Sequence, residues 1–208
     1  MISLSTLVTY VLVVLGFAFI PGPATLFTIT RATSSGTRAG IATSAGIAAG
    51  DIVHTFMAVV GISAIVATSA ALFSIVKYVG AAYLVYLGIR AIIEKTPANL
   101  AAGTLAISAG KAFRQAVLTE VLNPKTALFF LAFLPQFVHP ENGSVMLQLM
   151  ILGVIFVVLG LFSTVIFAVS AGGVGKFLRR NPSVVKWQGK FVGGIYCALG
   201  VRLALQQR

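Results

Sequence analysis

Residues 1–30 and 142–175 contain no aspartate, glutamate, lysine or arginine, and large apolar side chains dominate both stretches. A helix needs about 20 apolar residues to cross the hydrocarbon core of a bilayer, and each stretch is longer than that. The remaining sequence follows suit. Of 208 residues, 58% are hydrophobic and 9% charged, whereas a soluble domain carries about 25% charged residues. In lipid, every backbone polar group has to be satisfied within the protein. The chain is therefore read as an all-α integral membrane protein with no room for a separate soluble domain.

Within this framework two places stand out. The first apolar run is interrupted by Pro21-Gly22-Pro23, and a later one by Asn123-Pro124-Lys125. Proline inside a helix removes one backbone hydrogen bond and clashes with the preceding turn. In hydrocarbon such backbone survives only where it is buried in protein or lines a wet cavity. Paired breaks in corresponding parts of two half-chains point to the central site of a transporter. Each break can also start a new half-helix. Gly22 and Asn123 are accepted N-cap residues, and Pro23 and Pro124 suit the first helical position. The free N–H groups and positive dipole end of such a half-helix stabilise an anion, for example an amino-acid carboxylate. A plain kink between packed helices is the alternative for either break alone.

In chain order, six transmembrane helices are expected. They cover about Leu4–Ile29, Ala39–Ala67, Phe73–Ile92, Phe113–Val138 and Val145–Ser170, with a sixth ending near Leu205. Arg31 and Arg38 bracket a polar turn, and the residues from Lys176 to Lys190 form a basic loop. The third and sixth spans resemble each other. Lys77-Tyr78-Val79-Gly80 and Leu87-Gly88-Ile89-Arg90 are matched by Lys186-Trp187-Gln188-Gly189 and Leu199-Gly200-Val201-Arg202. With the paired breaks, this indicates a duplication of three spans. Because three is odd, the second copy enters the membrane from the opposite side, giving two inverted three-helix repeats with broken first helices. The chain is then one transporter domain: repeat one over about 1–93, a cytoplasmic linker over about 94–112, and repeat two over about 113–208.

The formal charge of +11 would suit nucleic acid, but the basic residues fall in short segments between apolar runs. With the N-terminus outside, eleven Lys and Arg residues lie on the inner side, against Lys77, Arg202 and Arg208 on the outer. The positive-inside rule thus puts both termini outside the cytoplasm and excludes nucleic acid as partner. The first residues lack the basic start of a signal peptide, so the first run is kept as a span. Cys197 is the only cysteine, which excludes a disulfide framework.

Asp51 is the single acid in the first three spans, and its burial near a midplane costs at least ~2.5 kcal/mol. Burial favours the neutral form of an acid and a nearby cation the charged form. A group pulled both ways suits proton coupling, or a partner for a substrate ammonium. A structural acid near an interface is the alternative. His54 follows one turn later and could share a proton with Asp51, although a histidine on a small-residue face more often serves packing. Glu120 and Lys125 flank the second break, either facing the site or snorkelling to an interface. The candidate binding residues are thus Gly22, Pro23, Ala24, Asn123, Pro124 and Lys125, with Asp51, His54 and Glu120 for proton coupling. No nucleophile–base pair, metal-ligand cluster or phosphate loop stands out, so neither an enzyme nor a bound cofactor or metal is expected. Gly46 and Gly50 form a G-x-x-x-G stripe that serves either packing in one chain or a homo-oligomer.

The motifs together resemble the lysine exporter (LysE/RhtB) family of amino-acid efflux carriers. The resemblance is carried by Pro21-Gly22-Pro23, Gly36-Thr37-Arg38-Ala39-Gly40, Gly46, Gly50-Asp51, His54 and Lys77-Tyr78-Val79-Gly80. Leu87-Gly88-Ile89-Arg90, Asn123-Pro124-Lys125, Pro135-Gln136-Phe137 and Leu199-Gly200-Val201-Arg202 extend it through nearly the whole chain. It implies six spans in the bacterial inner membrane and export of amino acids or their derivatives coupled to the proton-motive force. The competing readings are a channel or ion exporter, which the lack of cysteine or carboxylate clusters disfavours for metals, and a non-transporting scaffold.

Overall fold

The computed structural model describes residues 2–19, 23–68, 70–93, 105–123, 126–127 and 129–205. Gly22, Pro124, Lys125 and most of the expected linker lie outside the described residues. Within them the fold is helical without strands: α1 Leu4–Phe19, α2 Pro23–Ser35, α3 Thr37–Thr68, α4 Ala70–Ile93 and α5 Ala109–Val121. A π-helical turn at Phe129–Phe133 and 3-10 turns at Leu134–Phe137 and Pro140–Asn142 follow. The chain ends in α6 Val145–Val169, α7 Ala171–Arg180 and α8 Pro182–Leu205. Thr37–Ala64 and Val145–Val169 are each long and apolar enough to span a membrane; α1 and α2, with axes 44° apart, would make a third span together. The chain is a multi-pass membrane protein.

Serine caps open three of these helices. Ser3 Oγ accepts the Thr6 N–H at 3.1 Å, Ser108 Oγ that of Lys111 at 3.3 Å, and Ser144 Oγ that of Leu147 at 3.4 Å. Each satisfies one of the N–H groups that a helix start leaves without an internal partner.

Three expectations need correction. The polar turn after Arg31 is helical to Ser35, and Gly36 alone makes the turn, with φ of 88°. Tertiary bonds hold this extension: Arg31 donates to Gln115 Oε1 at 3.0 Å, and Ser35 Oγ accepts the Ile107 N–H at 3.1 Å. The basic segment from Lys176 to Lys190 is not a loop but the end of α7 and the start of α8, separated by Asn181. Asn181 closes α7 by donating both its backbone N–H and its Nδ2 to the Phe177 carbonyl, and Pro182 suits the first position of α8. Finally, the segment beyond the second break is α-helical at residues 126–127 but does not continue as one long α-helix, because a π turn takes over at Phe129–Phe133. Its π turn places Phe129, Phe130 and Phe133 together in the core with Tyr10, Leu152 and Phe156, a packing demand that local sequence patterns do not display.

Packing directions follow from paired contacts. Tyr10 Oη donates to the Leu152 carbonyl, and Ser163 Oγ to that of Ala18, so α1 and α6 run parallel. Gly46 lies against Phe113 and Ala116, and Gly50 against Glu120, so α3 and α5 run parallel. Gly88 lies against Gly193 and Cys197, while Gly200 lies against Ala81 and Val85; α4 and α8 are therefore antiparallel. These glycines let the backbones come close where lipid supplies no hydrophobic drive for association.

The α3–α5 contact generates a direct test. A methyl on Gly46 would stand 2.5 Å from the Phe113 carbonyl oxygen, whereas one on Gly16 meets nothing within 4 Å. Gly46→Ala is expected to destabilise the protein by about 1–3 kcal/mol through overpacking. Gly16→Ala should be neutral or stabilising by up to ~1 kcal/mol through helix propensity. Thermal unfolding in detergent checks both, and equal midpoints for the two variants would contradict the close packing.

Candidate functional site

Described residues flanking the two breaks line one cavity. The end of α1 contributes Val14, Phe17 and Ala18, and the start of α2 contributes Ala24 and Thr25. From α3 come Ile47 and Asp51; from the second break Glu120, Asn123 and Thr126; from α6 Phe156, Gly160 and Thr164. The cavity measures about 60 Å³. That is far below the ~300–1,000 Å³ of a ligand pocket.

Both acids are buried, Asp51 at 4% and Glu120 at 3% exposure. Their surroundings differ. Glu120 Oε1 accepts from Asn123 Nδ2 at 3.2 Å and from Thr126 Oγ1, so residues on both sides of the break hold its carboxyl group. This settles its orientation: Glu120 faces the interior and does not snorkel. No hydrogen bond to the Asp51 carboxyl group is found among the described residues. Its Oδ2 points toward Gly160, where a Cβ would lie 3.7 Å away. Asp51 is thus a buried acid directed into the cavity.

The start of α2, which begins at Pro23, also lines the cavity. The first N–H groups of a helix have no internal acceptor and carry the positive end of its dipole. Ala24 and Thr25 bring this end to the cavity, and Thr25 is 5% exposed. At the second break Asn123 starts the chain's next turn, its carbonyl accepting the Ala127 N–H at 3.1 Å. Two buried acids and a helix N-terminus therefore line one small, mostly apolar space. In such a low-dielectric setting, charge on a ligand is felt strongly, and a zwitterion has a complementary partner for each end.

Of the expected residues, the structure brings Ala24, Asp51, Glu120 and Asn123 to this cavity, with the helix start at Pro23. His54 lies elsewhere. It is 2% exposed, its Nε2 is 2.8 Å from the Glu120 carbonyl oxygen, and its ring stacks on Phe130. No hydrogen bond links it to Asp51 among the described residues. Sequence reasoning missed Thr25, Thr126 and Thr164. Their signal is weak, because threonine inside a transmembrane helix commonly bonds its own backbone, as Thr164 does to the Gly160 carbonyl at 2.9 Å.

The LysE type translocator family model matches residues 15–207. The chain belongs to that family. Among similar curated proteins, an uncharacterized membrane protein of Vibrio cholerae is 31% identical over 195 residues, covering 94% of both chains. A leucine efflux protein of Salmonella typhimurium is 26% identical over 200 residues, covering 96% of this chain and 94% of the relative. An uncharacterized membrane protein of Pseudomonas aeruginosa is 29% identical, covering 94% of this chain and 93% of its own. No solved structure matches. The match to the translocator family spans both breaks and every described residue of the cavity except Val14.

Proposed function

We propose that this LysE type translocator is a secondary carrier that exports amino acids or their derivatives across the bacterial inner membrane by proton antiport. One observation carries the reading: residues flanking both helix breaks line a single cavity with the buried acids Asp51 and Glu120. The substrate carboxylate binds at the breaks, Gly22-Pro23-Ala24 and Asn123-Pro124-Lys125, and its ammonium faces Asp51 and Glu120. Protons compete with that ammonium for Asp51, so loading one releases the other. The leucine efflux relatives support the substrate class. A cavity of this size disfavours a channel, since an amino acid needs the halves to move before it fits.

The same reading takes the chain as six spans in two inverted repeats, about 1–93 and 113–208, joined by a cytoplasmic linker. The parallel pairs α1–α6 and α3–α5 and the antiparallel pair α4–α8 support it. An inverted second copy turns each helix against its counterpart, which these directions satisfy. Alternating access would then rock one repeat against the other around the cavity.

The loop charges put both termini outside the cytoplasm. A fluorescent reporter that matures only in the cytoplasm, fused after Arg208, is expected to stay dark; a bright fusion that still transports would invert the orientation.

The coupling role of Asp51 is tested by Asp51→Asn, which keeps size and hydrogen-bonding capacity but removes titration. In everted vesicles, uptake of labelled amino acids driven by a proton gradient should fall to the level seen with an uncoupler. Exchange of substrate down its own gradient should persist, because the helix ends remain. Wild-type uptake with the same uncoupler sensitivity would show that Asp51 is a structural acid and make Glu120 the coupling candidate.

A further inference from the structure

The carbonyl of Glu120 has lost its ordinary partner. In a continuous helix it would accept the N–H of the residue four positions on. That residue is Pro124, which has no N–H. Inside a membrane an orphaned carbonyl is costly, since no water replaces the donor. Two groups take over. The Asn123 N–H bonds this oxygen at 3.0 Å in 3-10 fashion, and His54 Nε2 approaches it at 2.8 Å. A carbonyl oxygen can only accept, so Nε2 carries the hydrogen.

His54 also reaches across the break. Its ring lies 6.0 Å from that of Phe130 with the planes 21° apart, and Phe130 belongs to the π turn beyond the gap. One side chain on α3 thus touches the helix before the break and the turn after it. Gly50, one turn earlier on the same face, permits the approach. A Cβ there would lie 2.6 Å from Glu120 Cβ and 3.3 Å from the Val121 nitrogen, and would push α5 away from His54. Near the first break a side chain also bonds a carbonyl at a helix end, although there the residue four positions on is Gly22, which keeps its N–H. Ser163 Oγ of α6, fully buried, donates to the Ala18 carbonyl at 2.6 Å in the last turn of α1.

We propose that His54 is a positioning residue: its Nε2–H stands in for the backbone donor that Pro124 lacks, and so fixes Glu120 at the cavity. With Nε2–H donating to this carbonyl, His54 holds the second break in shape, and no hydrogen bond joins it to Asp51 among the described residues. The structural half of this proposal is independent of the substrate; its consequence for transport rests on the carrier reading above.

The test is a double-mutant cycle on the purified full-length protein. His54→Ala is expected to lower the melting midpoint in detergent. In a Pro124→Ala background the same change should lower it by less, because residue 124 then supplies an N–H to the Glu120 carbonyl. Equal or larger loss in that background overturns the proposal. In proteoliposomes loaded with labelled leucine, His54→Ala is expected to slow efflux about tenfold. His54→Gln retains a donor that can reach Glu120 and should recover most of both midpoint and efflux. A His54→Gln protein that melts like wild type but transports like His54→Ala would show that titration, not donation, matters, and would overturn the positioning role. If the wild-type protein exports no leucine or other amino acid, the carrier reading fails, while the melting cycle still decides what His54 does.

Discussion

Every backbone N–H and C=O within hydrocarbon needs a partner inside the protein, and this requirement governs the whole molecule. Continuous helices meet it by themselves. The interruptions at Pro21-Gly22-Pro23 and Asn123-Pro124-Lys125 do not, and the rest of the structure is arranged around them. Helices α3 and α6 approach the ends of α5 and α1 closely enough for His54 and Ser163 to serve exposed carbonyls. The small residues on α3 make the first of these approaches possible, and the aromatic cluster of Phe129, Phe130, Phe133 and Phe156 seals the space behind them.

The cost of interrupting a helix brings a chemical return. A helix start presents N–H groups and positive potential, and a helix end presents carbonyls. When both occur near buried acids, the membrane interior acquires a polar site. Asp51 and Glu120 divide the acidic side unequally. Glu120 is tied to Asn123 and Thr126, whereas Asp51 is directed into the cavity. A fixed acid can shape a site while an untied one changes state, and that asymmetry suits a carrier that binds and releases ligand each cycle.

Several of these features are legible in the sequence for physical reasons. Proline in an apolar run, an acid among small residues and a G-x-x-x-G stripe are each costly or unusual in lipid, so they mark the breaks, Asp51 and the α3–α5 contact. Other features depend on tertiary partners. The helical course of α2 to Ser35 relies on Arg31 meeting Gln115, 84 residues away. The π turn at Phe129–Phe133 follows from fitting three phenylalanines into one core. The partner of His54 is a carbonyl, and backbone groups leave no trace in residue identity. Ser108 and Ser144 do lie at their helix starts in the sequence, but serine is too common in loops to identify a cap without the helix that follows.

The central claim is that both breaks act as helix starts around one site. It is tested most directly by Pro23→Ala and Pro124→Ala, each reconstituted in proteoliposomes and assayed for efflux of labelled amino acids. A continuous helix would cover the free N–H groups, so efflux should fall at least tenfold in each variant while membrane insertion and yield persist. Wild-type efflux from both variants would show that the prolines only kink packed helices, and would remove the reason for placing the site between them.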